Sequence, residues 1–235
     1  MADEPSRPPG APYRVSLIVF DVDGTLIDFV GALRVALATA AEHVSTLTGA
    51  LVPPQALQTA MQLVRAEPEW RAKPQWDVRV ESLRRVLAAG DVTAAEAVAA
   101  VAETYSTTRD RALTVYPDVT TALGELRDRG FELRAASNGN MDLDVVGLKP
   151  FFAATELAER MGVSKPDPRF YATVVERAGV TPSRVLAVGD RVDNDYEPAR
   201  AAGLHALLID RAGALDPALP RVRALTEVPA LVERA

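Results

Sequence analysis

The run Val15-Ser16-Leu17-Ile18-Val19-Phe20, followed at once by Asp21-Val22-Asp23-Gly24-Thr25, decides how the chain is read. A short, mostly apolar run rich in β-branched side chains fits a buried strand. It ends in two acids and a glycine. In open α/β sheets, ligands sit just beyond the carboxyl ends of the strands. Asp and Gly are also ordinary turn residues, so this stretch alone does not separate a ligand site from a polar turn. The rest of the chain does.

Beyond Thr25 the pattern turns helical. Phe29 to Leu47 is alanine-rich with apolar residues at helical spacing, and Gly49 fits a C-cap. Pro53-Pro54 opens a second helix, Gln55 to Arg65. The polar stretch Glu67 to Pro74 breaks the pattern. A third helix is expected over Trp76 to Ala89, and a fourth, capped by Asp91 or Thr93, as far as about Leu113. No strand signal lies between Leu26 and Thr114.

From Pro117 helices and strands alternate. Helices are expected over Asp118–Arg129, Pro168–Ala178 and Asp195–Ala202, each followed by a glycine. Strands are expected over Phe131–Ala136, Val185–Val188 and His205–Ile209, with a closing helix from about Val228. Such alternation predicts a parallel sheet with right-handed crossovers. The fold class is therefore α/β: a Rossmann-like parallel-sheet core whose first crossover holds an all-helical cap. The expected boundaries are a disordered tail over 1–13, a discontinuous core over 14–27 and 115–235, and a cap over 28–114.

Composition narrows the function. Hydrophobic residues make up 48% of the 235, enough for a real core. The formal net charge of -6 argues against nucleic acid or an anionic membrane held by bulk electrostatics. With no cysteine, disulfides, thiolate metal sites and a cysteine nucleophile are excluded, which fits a reducing compartment. No apolar run reaches transmembrane length, and the first thirteen residues lack the apolar centre of a signal peptide. The expected location is the cytoplasm, as a monomer or homodimer.

Several strand ends converge on one edge of such a sheet. They bring Asp21 and Asp23, Ser137 and Asn138, and Asp190 with Asp195; a fourth segment adds Lys165. The chain has only three lysines, Lys73, Lys149 and Lys165, so lysine is not its default surface cation. Two carboxylates 4 Å apart repel by about 4 kcal/mol at an effective dielectric near 20. A divalent cation removes that cost. Oxygen-only ligands point to Mg²⁺, which also leaves room for phosphate oxygens. A phosphate would then sit against Mg²⁺ and Lys165, with the Ser137 hydroxyl and backbone N–H groups completing the cradle.

Asp21-Val22-Asp23-Gly24-Thr25 after an apolar strand resembles the first motif of the haloacid dehalogenase-like (HAD) hydrolase superfamily. Ser137-Asn138-Gly139 resembles its second motif, Lys165-Pro166-Asp167-Pro168 its third, and Gly189-Asp190 with Asp195 its fourth. Order and spacing match, and the helical insert resembles the helical-bundle cap of the phosphatase and haloacid dehalogenase branch. The resemblance covers nearly the whole chain except the N-terminal tail. It implies that Asp21 is the nucleophile, forming an aspartyl-phosphate. Asp23 would protonate the leaving oxygen and then activate water, its carbonyl also ligating Mg²⁺. Thr25, Ser137, Asn138 and Lys165 would bind phosphate. Asp21, Asp23, Asp190 and Asp195 would hold the metal. Two departures stand out: Arg191 replaces a small polar residue, and Tyr196-Glu197-Pro198-Ala199 lacks a common glycine.

The resemblance implies a Mg²⁺-dependent phosphatase acting on a small phosphorylated metabolite. A 2-haloacid dehalogenase, whose halide leaves without a proton, would not need Asp23. A phosphomutase of the same fold fits the motifs equally, and a non-catalytic binding protein would be expected to lack one of these ionisable groups. The cap decides the substrate, and Arg34, Arg65, Trp70, Arg71, Lys73, Trp76 and Arg79 are its candidate recognition residues.

Overall fold

The computed structural model describes residues 11–71, 73, 75–139 and 141–235. The chain forms two compact units, one running up to Asp28 and resuming over Val115–Ala235, the other covering Phe29–Thr114. Strands β1 (Tyr13–Val15) and β2 (Leu17–Asp21) come first. The helical unit follows with α1 (Phe29–Thr48), α2 (Pro54–Ala66), α3 (Gln75–Ala89) and α4 (Ala95–Ala112). The chain then runs through α5 (Val119–Asp128), β3 (Glu132–Ser137), β4 (Ala154–Leu157), α6 (Ala158–Met161) and α7 (Arg169–Ala178). It closes with β5 (Val185–Gly189), α8 (Glu197–Ala201), β6 (His205–Ile209), β7 (Arg221–Val222) and β8 (Val232–Arg234).

The main sheet has six strands in the order β4-β3-β2-β5-β6-β7, all parallel. Every residue of β2, β5 and β6 is buried, which is why these strands read as continuous apolar runs without polar alternation. Successive side chains of β2 face opposite ways. Leu17 and Val19 pack with Phe170, Tyr171, Val174 and Val175 of α7 and Ala199 of α8. Phe20, turned the other way, meets the Phe152 ring edge-on at 6.4 Å. Because β2 lies between β3 and β5, the strand order reverses direction there. That is the place where an open α/β sheet leaves a crevice for ligands.

In the helical unit, α1 packs on α4 and α2 on α3. Ala36, Ala40 and Ala41 let the helices approach closely around Leu57, Leu83, Leu87 and Val101. Pro54 opens α2, as its missing N–H allows. Neither Asp91 nor Thr93 caps α4; its N-cap is Ala94, with no side-chain bond. Among the described residues no helix is long and apolar enough to cross a membrane.

The structure corrects three expectations. The single strand expected from Val15 is two, because Val15 belongs to β1, which pairs with β8 in a separate two-stranded sheet. The tail expected over 1–13 ends earlier: Tyr13 is buried and pairs with Val232, while residues 1–10 lie outside the described residues. The closing helix from Val228 is absent. Two short 3-10 turns, Leu225–Glu227 and Pro229–Leu231, lead into β8 instead, since Pro229 offers no N–H to an α-helical ladder. Of the polar break Glu67 to Pro74, Ala72 and Pro74 also lie outside the described residues; Pro68–Trp70 is one 3-10 turn.

Candidate active site

Asp21 is the last residue of β2, and the register sets it opposite Ala136, one residue before Ser137. On the other side β5 ends at Gly189, so Asp190 is the first residue beyond that strand. A single π-helical turn, Val192–Tyr196, then carries Asp195. Asp195 and Tyr196 donate their N–H groups to the Arg191 carbonyl at 2.9 and 3.2 Å. The Arg191 N–H in return donates to Asp195 Oδ2 at 3.1 Å. Such turns occur often at functional positions. The outcome is that one oxygen each of Asp21, Asp190 and Asp195 lie within 4.8 Å of one another.

Two glycines make room for this convergence. Gly24 has φ +88, and a Cβ there would lie 2.4 Å from Asp190 Oδ2. A Cβ on Gly189 would lie 2.4 Å from the Asp195 Cβ. Neither position admits a side chain while the acids stay in place.

Lys165 is the cation inside the cluster. Its Nζ donates to Asp21 Oδ1 at 2.5 Å, to Asp195 Oδ1 at 2.7 Å and to the Ala136 carbonyl at 3.2 Å, and only 2% of the residue is exposed. Asn138 positions the lysine backbone through a reciprocal pair: its Nδ2 donates to the Lys165 carbonyl at 2.7 Å, and the Lys165 N–H donates to Oδ1 at 2.9 Å. Tyr171 of α7 is buried beside the cluster, and burial pushes its hydroxyl well above the ordinary phenol range.

The charges do not balance. Fully ionised, three carboxylates against one ammonium would carry two negative units in excess. Asp21 Oδ2 and Asp190 Oδ1 are buried and have no hydrogen-bond partner among the described residues. Burial, then the Asp195 charge, push Asp190 up to about 6. Burial also pushes Asp21 up; Lys165 opposes this, and Asp195 and Asp190 add to it. Burial works against the charge of Lys165, but the Asp21 and Asp195 carboxylates outweigh it and hold the ammonium protonated. Two orphaned carboxylate oxygens, an all-oxygen donor set and an excess of two negative charges suit a hard divalent cation.

Asp23 is not a member of that cluster. Its Oδ2 is 3.5 Å from the Ser137 hydroxyl, which itself accepts the Gly139 N–H at 2.8 Å. Thr25 is fully buried, and its hydroxyl has no hydrogen-bond partner among the described residues. Arg191 turns its guanidinium to Asp193 at 2.8 Å, and both side chains are exposed. Pro198 lies in the first turn of α8, where its missing N–H is tolerated. His43 bonds Thr104 at 2.9 Å and His205 packs on the Tyr13 ring, both structural positions as expected.

Two contributors escape the sequence reading. Arg211 donates to both carboxylate oxygens of Asp118 at 3.0 Å and to the Thr25 carbonyl at 2.8 Å, and stacks 3.9 Å over the Tyr116 ring. It ties the loop carrying Gly24 and Thr25 to the start of α5. Its position just past the end of β6 was the available signal. Tyr171 is hidden because its spacing is that of an ordinary helix face. Within the helical unit, Arg65 is taken up by the carbonyls of Trp70, Arg71 and Lys73, and Arg71 by that of Ala66. Trp76 is partly exposed, and Arg79 is buried.

A family model for haloacid dehalogenase-like hydrolases matches residues 15–203. A glyceraldehyde 3-phosphate phosphatase of Methanopyrus kandleri is 36% identical over 119 residues, 48% of this chain and 51% of that protein. The chain thus spans about half the length of that relative. A phosphoglycolate phosphatase of Pseudomonas putida is 31% identical over 204 residues, covering 81% of this chain and 68% of that one. Among solved structures, a 2-haloacid dehalogenase from Pseudomonas syringae pv. Tomato DC3000 superposes with a TM-score of 0.76 at 26% identity, covering 92% of this chain and 97% of that one.

Proposed function

The chain belongs to the haloacid dehalogenase-like hydrolase family, and from that premise we propose that it is a Mg²⁺-dependent phosphatase of a small phosphate monoester, working through an aspartyl-phosphate at Asp21. The observation that carries the reading is the imbalance around Asp21. Its carboxylate is fixed through Oδ1 to Lys165 while Oδ2 has no partner among the described residues, and Asp190 and Asp195 crowd it. Relatives named as phosphatases of small phosphorylated metabolites support the same reading.

In this reading Asp21, Asp190, Asp195 and the Asp23 carbonyl would hold the ion, which when bound neutralises the carboxylates and the phosphate dianion. The chain's own residues supply the rest. Asp21 attacks phosphorus, an O–P bond forms to its carboxylate, and the ester P–O bond breaks. Asp23, outside the acid cluster, gives its proton to the leaving oxygen. Water then attacks the phosphorus of the aspartyl-phosphate, Asp23 takes back a proton, and phosphate and the Asp21 carboxylate are released. Lys165 offsets the charge that would otherwise repel the substrate. Ser137, Asn138 and Thr25 would hold the phosphate or the loops around it, Asn138 in part by fixing the Lys165 backbone.

The similarity to a 2-haloacid dehalogenase gives a second reading, in which Asp21 displaces halide from carbon. A halide leaves without a proton and would leave Asp23 without a role, so the phosphatase reading is the stronger. Two measurements test it. Hydrolysis of an aryl phosphate is expected to require Mg²⁺ and to stop in EDTA. A beryllofluoride complex is expected to carry the trapped group on Asp21. Full activity in EDTA, or the group on any other residue, overturns the reading.

A further inference from the structure

The helical unit contains a buried charge with no counter-charge among the described residues. Arg79 lies on the inward face of α3 beside Val78, Ser82 and Leu83, and only 6% of it is exposed. Its guanidinium stacks 4.6 Å from the centre of the Tyr105 ring on α4. Its Nη1 is buried and has no hydrogen-bond partner, and no acid is paired with it among the described residues. One helical turn beyond Tyr105, on the same face of α4, a second guanidinium follows: Arg109, a quarter exposed and paired with Asp110. Burial pulls the Arg79 guanidinium down, Tyr105 opposes this, and Arg109 adds to it.

Two half-buried guanidiniums of the core unit, by contrast, have acids: Arg134 has Glu132 and Glu156, and Arg211 has Asp118. An unpaired buried charge is strongly destabilising, and an apolar residue of similar length in its place is often neutral or better. The aromatic face offsets part of this cost but leaves Nη1 unsatisfied. A guanidinium fork with a free arm, a phenol beside it and a second cation one turn away has the donors that a carboxylate or phosphate accepts.

We propose that Arg79, with Tyr105 and Arg109, forms an oxyanion-binding site in the helical unit that takes a carboxylate or phosphate group of a small ligand. The ligand is a free small anion, so the site stands independently of the phosphatase reading.

The test uses the full chain. In EDTA the net negative aspartate cluster repels anions, so anion binding there reports on Arg79. Malonate and inorganic phosphate, each against chloride at matched ionic strength, should raise the melting temperature saturably. The expected rise is about 3–6 °C at tenfold excess over the dissociation constant. Arg79→Met should abolish this response. Should that variant not fold, Arg79→Lys keeps the charge without the fork and should weaken anion affinity at least about tenfold. An unchanged anion response in either variant, or none in the wild type beyond chloride, overturns the site. A chain with no phosphatase turnover would overturn the proposed function and leave the thermal result intact.

Discussion

Glu156 and Asp190 are both acids of the core sheet, and their surroundings differ. Glu156 lies in the edge strand β4, nearly buried, with Arg134 Nη1 at 2.9 Å from one oxygen and Arg177 Nη1 at 2.9 Å from the other. Asp190 follows β5 at the centre of the sheet, where Lys165 pairs with Asp21 and Asp195 but not with Asp190, one of whose oxygens has no partner among the described residues. Buried polar groups are normally satisfied, and an uncompensated charge is costly. The edge of the sheet obeys that rule for the sake of stability. The centre departs from it at the proposed active site, and Arg79 departs from it with the opposite sign. Both proposed sites share one premise: an imbalance of charge marks a place completed by something other than the chain.

The largest expected effect tests the division of labour among the central acids. Asp21→Asn keeps the shape but loses the nucleophile, and turnover should fall by ~10⁵ or more, as when a nucleophile is removed elsewhere. Asp23→Asn should slow hydrolysis of an alkyl phosphate by ~10²–10⁴, the usual worth of general acid–base help. The loss should be smaller on a nitrophenyl phosphate, whose leaving group needs no proton. Steady-state kinetics on the two esters decide it; equal losses would remove Asp23 from the role of acid.

The next effect is on stability. In the metal-free protein the Asp190 carboxyl is raised from 3.8 to about 6, so the native state holds this proton more tightly than the unfolded chain does. By linkage, stability falls as pH rises through that interval, and the raised Asp21 carboxyl acts in the same direction. Mg²⁺ should reverse the loss above the interval. At a hundredfold excess over its dissociation constant it would contribute about 2.7 kcal/mol, or roughly 5–10 °C. Thermal melts from pH 4 to 8 in EDTA and in Mg²⁺ check this. A flat EDTA profile would show that the acids are not in conflict.

The legible features were those written in local pattern. The strand ending in Asp21, the helical stretch after it and the later alternation of helix and strand are short-range signals of periodicity and glycine punctuation. What failed was either too short or too distant. β8 is Val232-Glu233-Arg234, three residues with two polar side chains, and nothing in it announces a partner for Tyr13. Arg211 reaches the Thr25 carbonyl across 186 positions, a contact that no spacing rule reveals. The sequence put Arg79 among the candidate recognition residues of the helical insert, but its distinguishing property, burial without an acid, exists only once α3 and α4 have packed.

The smallest effect opposes the two acids most directly. Glu156→Gln removes the charge that Arg134 and Arg177 share. Arg177 is 46% exposed and can turn to water, and Arg134 keeps Glu132 at 2.7 Å, so the full penalty of an orphaned buried cation is not incurred. A loss of about 1–2 kcal/mol is expected, a charged hydrogen bond's worth, which lowers the melting temperature by roughly 2–8 °C. Asp190→Asn should behave in the opposite way in EDTA at pH 7. It removes a charge that has no partner and is repelled by Asp195, so the melting temperature should rise by roughly 2–4 °C, equivalent to about 1 kcal/mol. In Mg²⁺ the sign should reverse again, because the variant forfeits a ligand. Two isosteric acid-to-amide changes in one sheet would thus move stability in opposite directions under identical conditions. If both lower it in EDTA, the central acids are held as well as Glu156, and charge imbalance is not what marks the site.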